Sequence, residues 1–423
     1  MPNSAFERRS LVNEARARDL LAQLDADAFV AARPVHVYYF TNFWTILAKM
    51  GFDHASMALW TPSPEHRTLV ASAAQIWRLA LEEVDYPPHI IACTAPANWQ
   101  AWLDSDGRTE LLAAPATPWP VTRDVELSAI EQAWLAASRR IEGREAANAE
   151  AGLARAIRNA GLERGCIVTD DAAIEPALRR HGLTRLRVRC EPNVFRRLRV
   201  VKSAPEIALM RRAANLNAEA CRAAVRDLVV GTDMAEIERR FGVEVAQRDG
   251  EAVFIAAGGT GSLPKGRVVR GEPFLVDAVA HHRHYHGDFG RTVVLGEPTA
   301  AIRRRVAALR VGWQASFEAL RPGRRYSEIR SAGLEAMRTA GYGDVLTVAV
   351  PHSVGLQHTD EPFRDGLPFA VKDDLVLEEN MTLTVDFPHI EVGFGACHLE
   401  DLVRITHDGA EALAPMDDPL IVL

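Results

Sequence analysis

The first half of the chain alternates between short apolar runs and amphipathic segments with helical spacing. Residues 11–24 arrange apolar and charged positions as a surface helix does. Two apolar runs follow, at 28–32 and 35–40, and both are typical of strands. The same patterns predict further strands at 56–60, 68–71 and 166–169 and helices at 128–141 and 145–160. This alternation favours an α/β N-terminal domain.

A helix start marks the best boundary between two domains. Ser203 and Glu206 have the spacing of a capping box, in which both side chains bond to free amides at a helix N-terminus. Apolar residues then recur at helical spacing, at Ile207, Met210 and Ala214. We therefore predict two domains, residues 1–195 and 196–423. The alternative is an ordinary helix inside one large domain.

The composition is that of a soluble globular protein. The chain has 423 residues, of which 48% are hydrophobic and 25% are charged, and this length fits two cores better than one. A net charge of -7, with no separate basic stretch, argues against a nucleic-acid partner.

Membrane and secretory segments are not predicted. No apolar run reaches the roughly 20 residues that cross a bilayer, and the N-terminus has no secretory signal. The cysteines are scattered and form no C-x-x-C pair: Cys93, Cys166, Cys190, Cys221 and Cys397. This usage is typical of a reducing compartment, so we predict a cytoplasmic protein.

From residue 268 onward, the predicted strands carry many acidic and histidine residues. Asp277 follows an apolar run at 274–276 and Asp288 precedes another at 292–295, with a polar turn predicted between the runs. In an antiparallel hairpin the two aspartates would lie across from each other, and a divalent cation would remove their repulsion. The alternative is two aspartates in a solvated turn.

Four more candidate ligands lie at the edges of apolar strands. His352 and His358 flank a glycine-containing turn, and Asp386 and Glu400 each adjoin a strand. Any one of them could be an ordinary polar residue at a strand end. Together with the two aspartates, they predict a two-metal site of carboxylates and histidine that is suited to hydrolysis.

The spacing of these residues resembles that of the pita-bread metallohydrolases, the family of methionine aminopeptidase, prolidase, aminopeptidase P and creatinase. Eleven positions separate Asp277 from Asp288, as in the family's D-x(10)-D pattern. Fourteen positions separate Asp386 from Glu400, as in prolidase-like members.

Local motifs extend the resemblance over nearly the whole chain. Residues 288–292 resemble the D-x-T-R-T motif, with Gly290 in place of the first threonine, and residues 352–356 match H-x-x-G-L. Segments outside the site also look like family segments: 202–214 in the catalytic domain, and 25–31 and 38–43 in the N-terminal domain.

The resemblance implies an α+β pita-bread catalytic domain preceded by an α/β creatinase/prolidase-like N-terminal domain. It also implies two divalent metal ions, Mn, Fe, Co or Zn, with a shared hydroxide as the nucleophile. The implied ligands are Asp277, Asp288 and Glu400 for one ion, and Asp288, His352, Asp386 and Glu400 for the other. The implied catalytic residues are His352 and His358, and His358 would hydrogen-bond the substrate or the developing oxyanion. Family members with this N-terminal domain usually dimerise, so we expect a homodimer.

Several residues depart from the family pattern around the substrate. Asp386 stands where the family usually has glutamate, and Glu391 is an alternative ligand nearby. Lys265 lies near the position of a peptidase histidine; it could bind a substrate carboxylate or be a surface lysine. His358 follows His352 by six positions where peptidases generally have seven.

The segment 281–286 is dense in histidine. On alternating strand positions, His282, His284 and His286 would share one face, where they could line the pocket or bind metal. Tyr285 matches a tyrosine frequent in the family. We predict substrate contacts for His284 and Tyr285.

The default function implied by the resemblance is hydrolysis of Xaa-Pro dipeptides or N-terminal Xaa-Pro bonds. One alternative is a non-peptidase on the same fold, either a creatinase-like C–N hydrolase or a dimethylsulfoniopropionate lyase-like C–S lyase. Another alternative is a metal-free binding module. Both creatinase-like members and binding modules lose metal ligands, and this chain keeps a carboxylate or histidine at all five positions.

Overall fold

Two compact units make up the chain. The structure is a computed structural model that describes residues 10–76, 89–93, 121, 124–141, 145–259, 266–367 and 370–423. Its contacts divide the chain into Met1–Leu198 and Arg199–Leu423. The boundary that we predict from the sequence lies three residues earlier, between residues 195 and 196.

The N-terminal unit is built on a mixed sheet. Its described strands are β1 (Ala28–Ala31), β2 (Ser56–Trp60), β3 (Thr68–Ser72), β4 (His89–Cys93), β5 (Glu145–Ala146), β6 (Cys166–Thr169) and β7 (Arg187–Cys190). Its described helices are α1 (Glu14–Gln23), α2 (Pro34–Thr41), α3 (Ala129–Arg140), α4 (Ala149–Asn159), α5 (Ile174–Arg180) and α6 (Pro192–Arg199), the last ending at the unit boundary. These strands lie in the order β5-β4-β3-β2-β1-β6-β7, with β2 antiparallel to both its neighbours and the other pairs parallel.

The segment predicted as a strand at 35–40 is wrong, because it forms helix α2. Pro34 takes the first helical position, where its missing N–H costs nothing, and Asn42 ends the helix in the left-handed conformation with φ 55°. Residues 36–41 are all buried, so this helix has no polar face. Its sequence therefore lacks the alternation of apolar and polar positions that marks a surface helix. The other strands and helices predicted for this unit are confirmed, except that the helix predicted for 145–160 begins at Ala149, because Glu145–Ala146 form strand β5.

The C-terminal unit combines one extended sheet with two pairs of helices. Its described helices are α7 (Ala204–Val225), α8 (Met234–Gln247), α9 (Ala300–Ala319) and α10 (Tyr326–Thr339). Its described strands are β8 (Glu251–Gly258), β9 (Pro273–His282), β10 (Tyr285–Val294), β11 (Val350–Ser353), β12 (Thr382–Glu391), β13 (Gly395–Asp401), β14 (Val403–Ile405), β15 (Ala410–Ala412) and β16 (Leu420–Val422). Within these residues the strand order is β15-β14-β12-β13-β10-β9-β8, with β11 beside β12 and β16 beside β10.

Each helix pair packs on its own part of this sheet. Helices α7 and α8 share a core with β8, β9 and β10 that includes Phe241, Val276 and Phe289. Helices α9 and α10 share a second core with β12 and β13 that includes Trp313 and Phe387. Burial of such apolar side chains is the main stabilising contribution to both layers.

The predicted capping box at the start of α7 is confirmed. The Ser203 hydroxyl accepts from the Glu206 amide, and the Glu206 carboxylate accepts from the Ser203 amide. Glu206 is fully buried, unlike a surface capping residue. Burial raises the pKa of Glu206 to about 7.

The hairpin of β9 and β10 is longer than predicted. Pairing runs from Pro273 opposite Val294 to His282 opposite Tyr285, so most of the predicted polar turn is strand. The turn itself is Arg283–His284, with φ of 47° and 69°, and two positive φ values are what a type I′ hairpin turn needs. The polar residues of this segment therefore lie along two paired strands.

All five cysteines of the chain are free and form no disulfide. Among the described ranges, there is no helix with the length and apolar character to cross a membrane.

Candidate metal centre

Strand alternation separates the carboxylates from the helix-packed face of the sheet. Successive side chains of a strand point to opposite faces. In β9, Val276 and Ala278 pack in the α7–α8 core and Asp277 lies between them. In β12 and β13, Val385, Phe387 and Leu399 pack in the α9–α10 core, and their neighbours Asp386 and Glu400 point to the other face. Because the apolar side chains of these strands pack toward the helices, the acidic side chains that alternate with them point to the opposite face of the sheet.

Strand register brings these carboxylates together around Gly290. On β10, Gly290 lies opposite Asp277 of β9 on one side and Glu400 of β13 on the other. Asp288 lies two residues along β10 and so shares this face. The sequence-based expectation that Asp277 and Asp288 face each other directly is wrong, because Asp288 is opposite Val279 and the two aspartates are diagonal neighbours.

The predicted histidines reach the same group. His352 on β11 lies opposite Thr384 of β12. Its Nε2 is 3.6 Å from Asp288 Oδ2 and 3.6 Å from Glu400 Oε1. His358 is half-buried, and its Nε2 lies 3.1 Å from Asp288 Oδ2. The rings of the two histidines are 4.9 Å apart between centroids.

Buried hydrogen bonds hold the turn that carries these histidines. The Ser353 amide donates to Glu361 Oε2 at 2.6 Å, and the Thr382 hydroxyl donates to the Val354 carbonyl at 2.6 Å. Next to the turn, Asp360 accepts from Arg199 at 2.6 Å and from Lys202 at 3.0 Å. These two cations outweigh the effect of burial and lower the pKa of Asp360, so it is a buried structural anion.

His398 is a site residue that our sequence analysis missed. It is buried, and its Nε2 contacts Asp386 Oδ1 at 2.5 Å and lies 3.6 Å from Glu400 Oε2. The available signal was its position two residues before Glu400 in an apolar strand, since residues i and i+2 share a face. The remaining predicted ligand, Asp386, therefore contacts an imidazole within the site.

The carboxylates of the site crowd one another at low exposure. Burial, together with the charges of Asp288 and Asp386, raises the pKa of Glu400 well above its ordinary value. Burial raises the pKa of Asp277 to about 7, and the Asp288 charge acts in the same direction. Burial lowers the pKa of His352, which favours the neutral imidazole that binds metals.

Two groups of donor atoms have the spacing of metal ligands. Within each group, one donor atom from every residue lies within 4.8 Å of the others. Among the described residues, these groups are Asp288, His352 and His358, and Asp277, His398 and Glu400. Glu400 links them, because its two oxygens lie near His352 and His398 respectively.

The unpaired oxygens of the site fit divalent cations. Asp277 Oδ1 and Asp288 Oδ1 are buried and have no hydrogen-bond partner within the described residues, and Asp288 Oδ2 faces the rings of His352 and His358. A buried carboxylate without a donor is costly, and a coordinated cation removes that cost. Carboxylate and imidazole donors suit Mn, Fe, Co and Zn, so the donor set fits the cofactor that the sequence implies.

Arg291 supports the centre from the strand that carries Asp288. It is fully buried and donates to the Glu400 carbonyl at 2.8 Å and to Asp401 Oδ1 at 2.7 Å. Its guanidinium also lies over the Phe289 ring, 4.1 Å from the centroid. Arg291 therefore ties β10 to β13 at Glu400 and Asp401.

Tyr285 and Glu391 contact residues outside the metal centre, and the predicted substrate contact of Tyr285 stays a prediction. Tyr285 is fully buried and donates its hydroxyl to Glu206 at 3.0 Å, so it contacts α7. Glu391 lies at the end of the β12–β13 hairpin and is paired with Arg305. Lys265 lies outside the described residues.

The predicted arrangement of the histidine run is wrong. His284 lies in the turn between β9 and β10, and the centroid of its ring is 5.5 Å from that of His281. His281 is paired with His286 across the strands, and His282 is paired with Tyr285 at the next position, so His282 and His286 point to opposite faces. The Nδ1 of His282 lies 2.8 Å from the Asp249 carbonyl. The predicted substrate contact of His284 stays a prediction.

A protein-family model matches most of the C-terminal unit, which contains this centre. Residues 208–407 match the family model of metallopeptidase family M24. This part of the chain is therefore similar to the M24 metallopeptidase domain, and the pita-bread fold predicted from the sequence is confirmed.

Several relatives of the chain are named Xaa-Pro dipeptidases. The one from Pyrococcus furiosus is 28% identical over 239 residues, which cover 54% of this chain and 67% of that protein. The one from Lactobacillus delbrueckii subsp. lactis is 31% identical over 153 residues, which cover 36% of this chain and 40% of that protein. The matched segment thus spans about two thirds of the length of the first relative and less than half of the second.

Solved structures extend the similarity of fold over almost the entire chain. A dipeptidase from Pyrococcus horikoshii OT3 has a TM-score of 0.68 at 16% identity, covering 97% of this chain and 99% of that one. The prolidase from Pyrococcus furiosus has a TM-score of 0.62 at 19% identity, covering 94% and 99%. At these identities the two structures show a shared fold and nothing more specific.

Proposed function

We propose that this protein is a divalent-metal-dependent hydrolase of Xaa-Pro dipeptides. The observation that carries the proposal is the set of buried carboxylate oxygens that lack hydrogen-bond partners and converge with His352 on one face of a sheet. The similarity to the M24 metallopeptidase domain supports metallohydrolase chemistry. The names of the relatives support the substrate class.

In this proposal, Asp277, Asp288, His352 and Glu400 hold the cations, and Asp386 stays the fifth predicted ligand. Cations held here would generate a nucleophile from water at neutral pH and polarise the scissile carbonyl. The four main donors lie on hydrogen-bonded strands, so their backbone positions are fixed before a cation arrives. A pair of ions and the identity of the metal are parts of the proposal that chemical analysis must test.

His358 is the residue that we assign to the substrate carbonyl. It is the more exposed of the two histidines beside Asp288, with 34% of its side chain accessible compared with 6% for His352. Its ring also packs edge-on against Phe254. An N–H donated from this position would orient the carbonyl oxygen and stabilise the negative charge that develops on it.

The finer features expected from the sequence remain proposals. They are a substrate-carboxylate contact by Lys265, a homodimer, manganese as the metal, and a cytoplasmic location. None of them is required for the hydrolytic chemistry at the metal ligands.

The proposed activity is tested by restoring metal to protein that has been stripped with a chelator. The stripped protein is reloaded with Mn²⁺, Fe²⁺, Co²⁺ or Zn²⁺ and incubated separately with Met-Pro, Met-Ala, creatine and dimethylsulfoniopropionate. We expect metal-dependent release of proline from Met-Pro at a higher rate than cleavage of Met-Ala. Metal-dependent cleavage of creatine or dimethylsulfoniopropionate with no Xaa-Pro hydrolysis would overturn the substrate class. Turnover that needs no metal would overturn the mechanism.

A further inference from the structure

Gly290 occupies the centre of the metal face and has no side chain. It lies between Asp277 and Glu400 in the strand register. A Cβ built on Gly290 would lie less than 3.0 Å from three atoms of the His398 ring, a distance that real Cβ atoms essentially never show. The absence of a side chain at this position is therefore what admits the imidazole of His398 to the site.

The two ring nitrogens of His398 have different surroundings. Nδ1 lies 3.4 Å from the Val276 carbonyl, an acceptor, so this nitrogen is the one suited to carry the proton of a neutral ring. Nε2 points toward the carboxylates, at 2.5 Å from Asp386 and 3.6 Å from Glu400. Metal-binding histidines have this same arrangement, in which a backbone carbonyl holds one nitrogen and the other faces the ion.

We propose that His398 is a nitrogen ligand of the metal centre, together with Asp277 and Glu400. This inference rests on the proposed metal-dependent function, and it adds a donor to the five positions that the family resemblance supplies. It also connects two departures from the family pattern. Gly290 makes room for the ring, and Asp386, which is shorter than glutamate, contacts the ring nitrogen.

A protonated His398 that acts only as a counter-ion explains less. One N–H can donate to one acceptor, and Asp386 already takes that position. Asp277 Oδ1 would still be buried without a donor among the described residues. A cation beside His398 Nε2 replaces the proton and can also coordinate the carboxylates of Asp277 and Glu400, so the donor geometry favours the ligand role.

The extra imidazole changes which metals the centre should prefer. Carboxylate oxygens suit Mn²⁺, whereas imidazole nitrogens favour Fe, Co and Zn. With His352 and His398 both contributing, we expect Zn²⁺ and Co²⁺ to bind more tightly than Mn²⁺. The preference should diminish when His398 is replaced.

The ligand role is tested by counting the histidine rings that coordinate a bound ion. Full-length protein labelled with ¹⁵N-histidine is loaded with ¹¹³Cd²⁺, and NMR coupling between the two nuclei identifies each coordinating ring. The count should fall by one in His398→Gln, and Zn²⁺ affinity should fall at least about 10-fold. The matched control is His389→Gln, because His389 is also a buried histidine of this sheet, but its Nε2 faces Glu391, which lies outside the metal centre. The control should keep the wild-type count.

The possible outcomes separate this inference from the proposed function. An unchanged count and unchanged Zn²⁺ affinity in a folded His398→Gln variant would overturn the ligand role while leaving the metal centre intact. Tighter metal binding in that variant would also overturn it and would identify His398 as a counter-ion. Wild-type protein that binds no metal would overturn the proposed function itself. If His398→Gln does not fold, the His352→Gln/His358→Gln double variant decides, since one coupled ring must remain there and its absence would contradict the assignment.

Discussion

The imidazole ring of His398 fills the space beside Gly290 that a side chain at position 290 would occupy. Gly290 stands where the family motif has a threonine, and its backbone is not in the left-handed region. A glycine is therefore needed at position 290 because it leaves space for the imidazole ring. The backbone conformation at this position does not require a glycine.

This relationship predicts the effect of adding one methyl group. Gly290→Ala should lower the free energy of unfolding by about 1–3 kcal/mol, because the core around His398 would be overpacked. Urea unfolding measures the change. In the His398→Ala background the same substitution should cost much less, giving a coupling energy of about 1 kcal/mol or more. Gly242→Ala is the control, since nothing lies within 4 Å of a Cβ there and helix α8 should be unaffected or slightly stabilised. Equal costs in both backgrounds would show that the ring and the glycine do not interact.

His358 is predicted to act on the substrate and not on metal retention. His358→Asn should lower kcat/KM for Met-Pro by about 10²–10³, because a donor to the developing oxyanion is lost, while bound metal stays near the wild-type amount. Steady-state kinetics and elemental analysis of the same preparation check both statements. His407→Asn should match the wild type, because His407 is a fully exposed surface histidine. A variant that loses its metal together with its activity would make His358 a ligand instead.

Arg291 is predicted to be a major contributor to stability. Arg291→Met leaves the buried Asp401 carboxylate without its cation and should lower the free energy of unfolding by about 3–5 kcal/mol. Removing both charges, in Arg291→Met/Asp401→Leu, should recover a large part of the loss. Arg303→Ala breaks an exposed pair with Glu297 and should change stability by about 0.5 kcal/mol or less. If Arg291→Met lowered the free energy of unfolding as little as Arg303→Ala does, the buried pair would not contribute to folding stability.

Glu206 should make stability fall as pH rises. Burial raises its folded pKa to about 7 from an ordinary value of 4.5, so between these pH values the folded protein holds a proton that the unfolded chain has released. Stability from this group is therefore present below pH 4.5, declines toward pH 7 and is absent above it, a loss of up to roughly 3 kcal/mol.

The measurement is urea unfolding of metal-free protein at pH 5 and pH 8. Glu206→Gln keeps the capping box and should show a smaller loss than the wild type between the two pH values. Glu236→Gln should keep the wild-type difference, because Glu236 is exposed and its hydrogen bond from Arg239 lowers its pKa, so it titrates below this range. Identical pH dependence in the wild type and Glu206→Gln would contradict the account.

Residue spacing was sufficient to predict the candidate ligands but not their arrangement. Position along the chain predicts Asp277, Asp288, His352 and Glu400, and all four lie on the same face of the sheet. Their contacts depend on strand register, which sequence alone does not give when the turn is misplaced. The Arg283–His284 turn has neither glycine nor asparagine, so the usual signal for a type I′ hairpin was missing.

The remaining errors have specific physical causes. His398 is not one of the family's five ligand positions, so the family spacing does not predict it, and only its place two residues before Glu400 on the same strand indicates its role. Helix α2 was predicted as a strand because its buried face extends around the whole helix, and only Pro34 and Asn42 marked its ends. The contact of Tyr285 with Glu206 joins residues 79 positions apart and could not be read from either local motif.

The most direct test of the metal centre is the metal content of the purified protein, measured for the wild type and Asp288→Asn after growth with added Mn, Fe, Co and Zn. Asp288→Asn keeps the shape of the side chain but removes the carboxylate charge of the donor group that Asp288 forms with His352 and His358. Asp344→Asn, an exposed aspartate paired with Arg304, is the control. The account predicts about two equivalents of transition metal in the wild type and the control, and a marked loss in Asp288→Asn. A wild-type protein that holds no metal, or an Asp288→Asn variant that holds as much as the wild type, would contradict it.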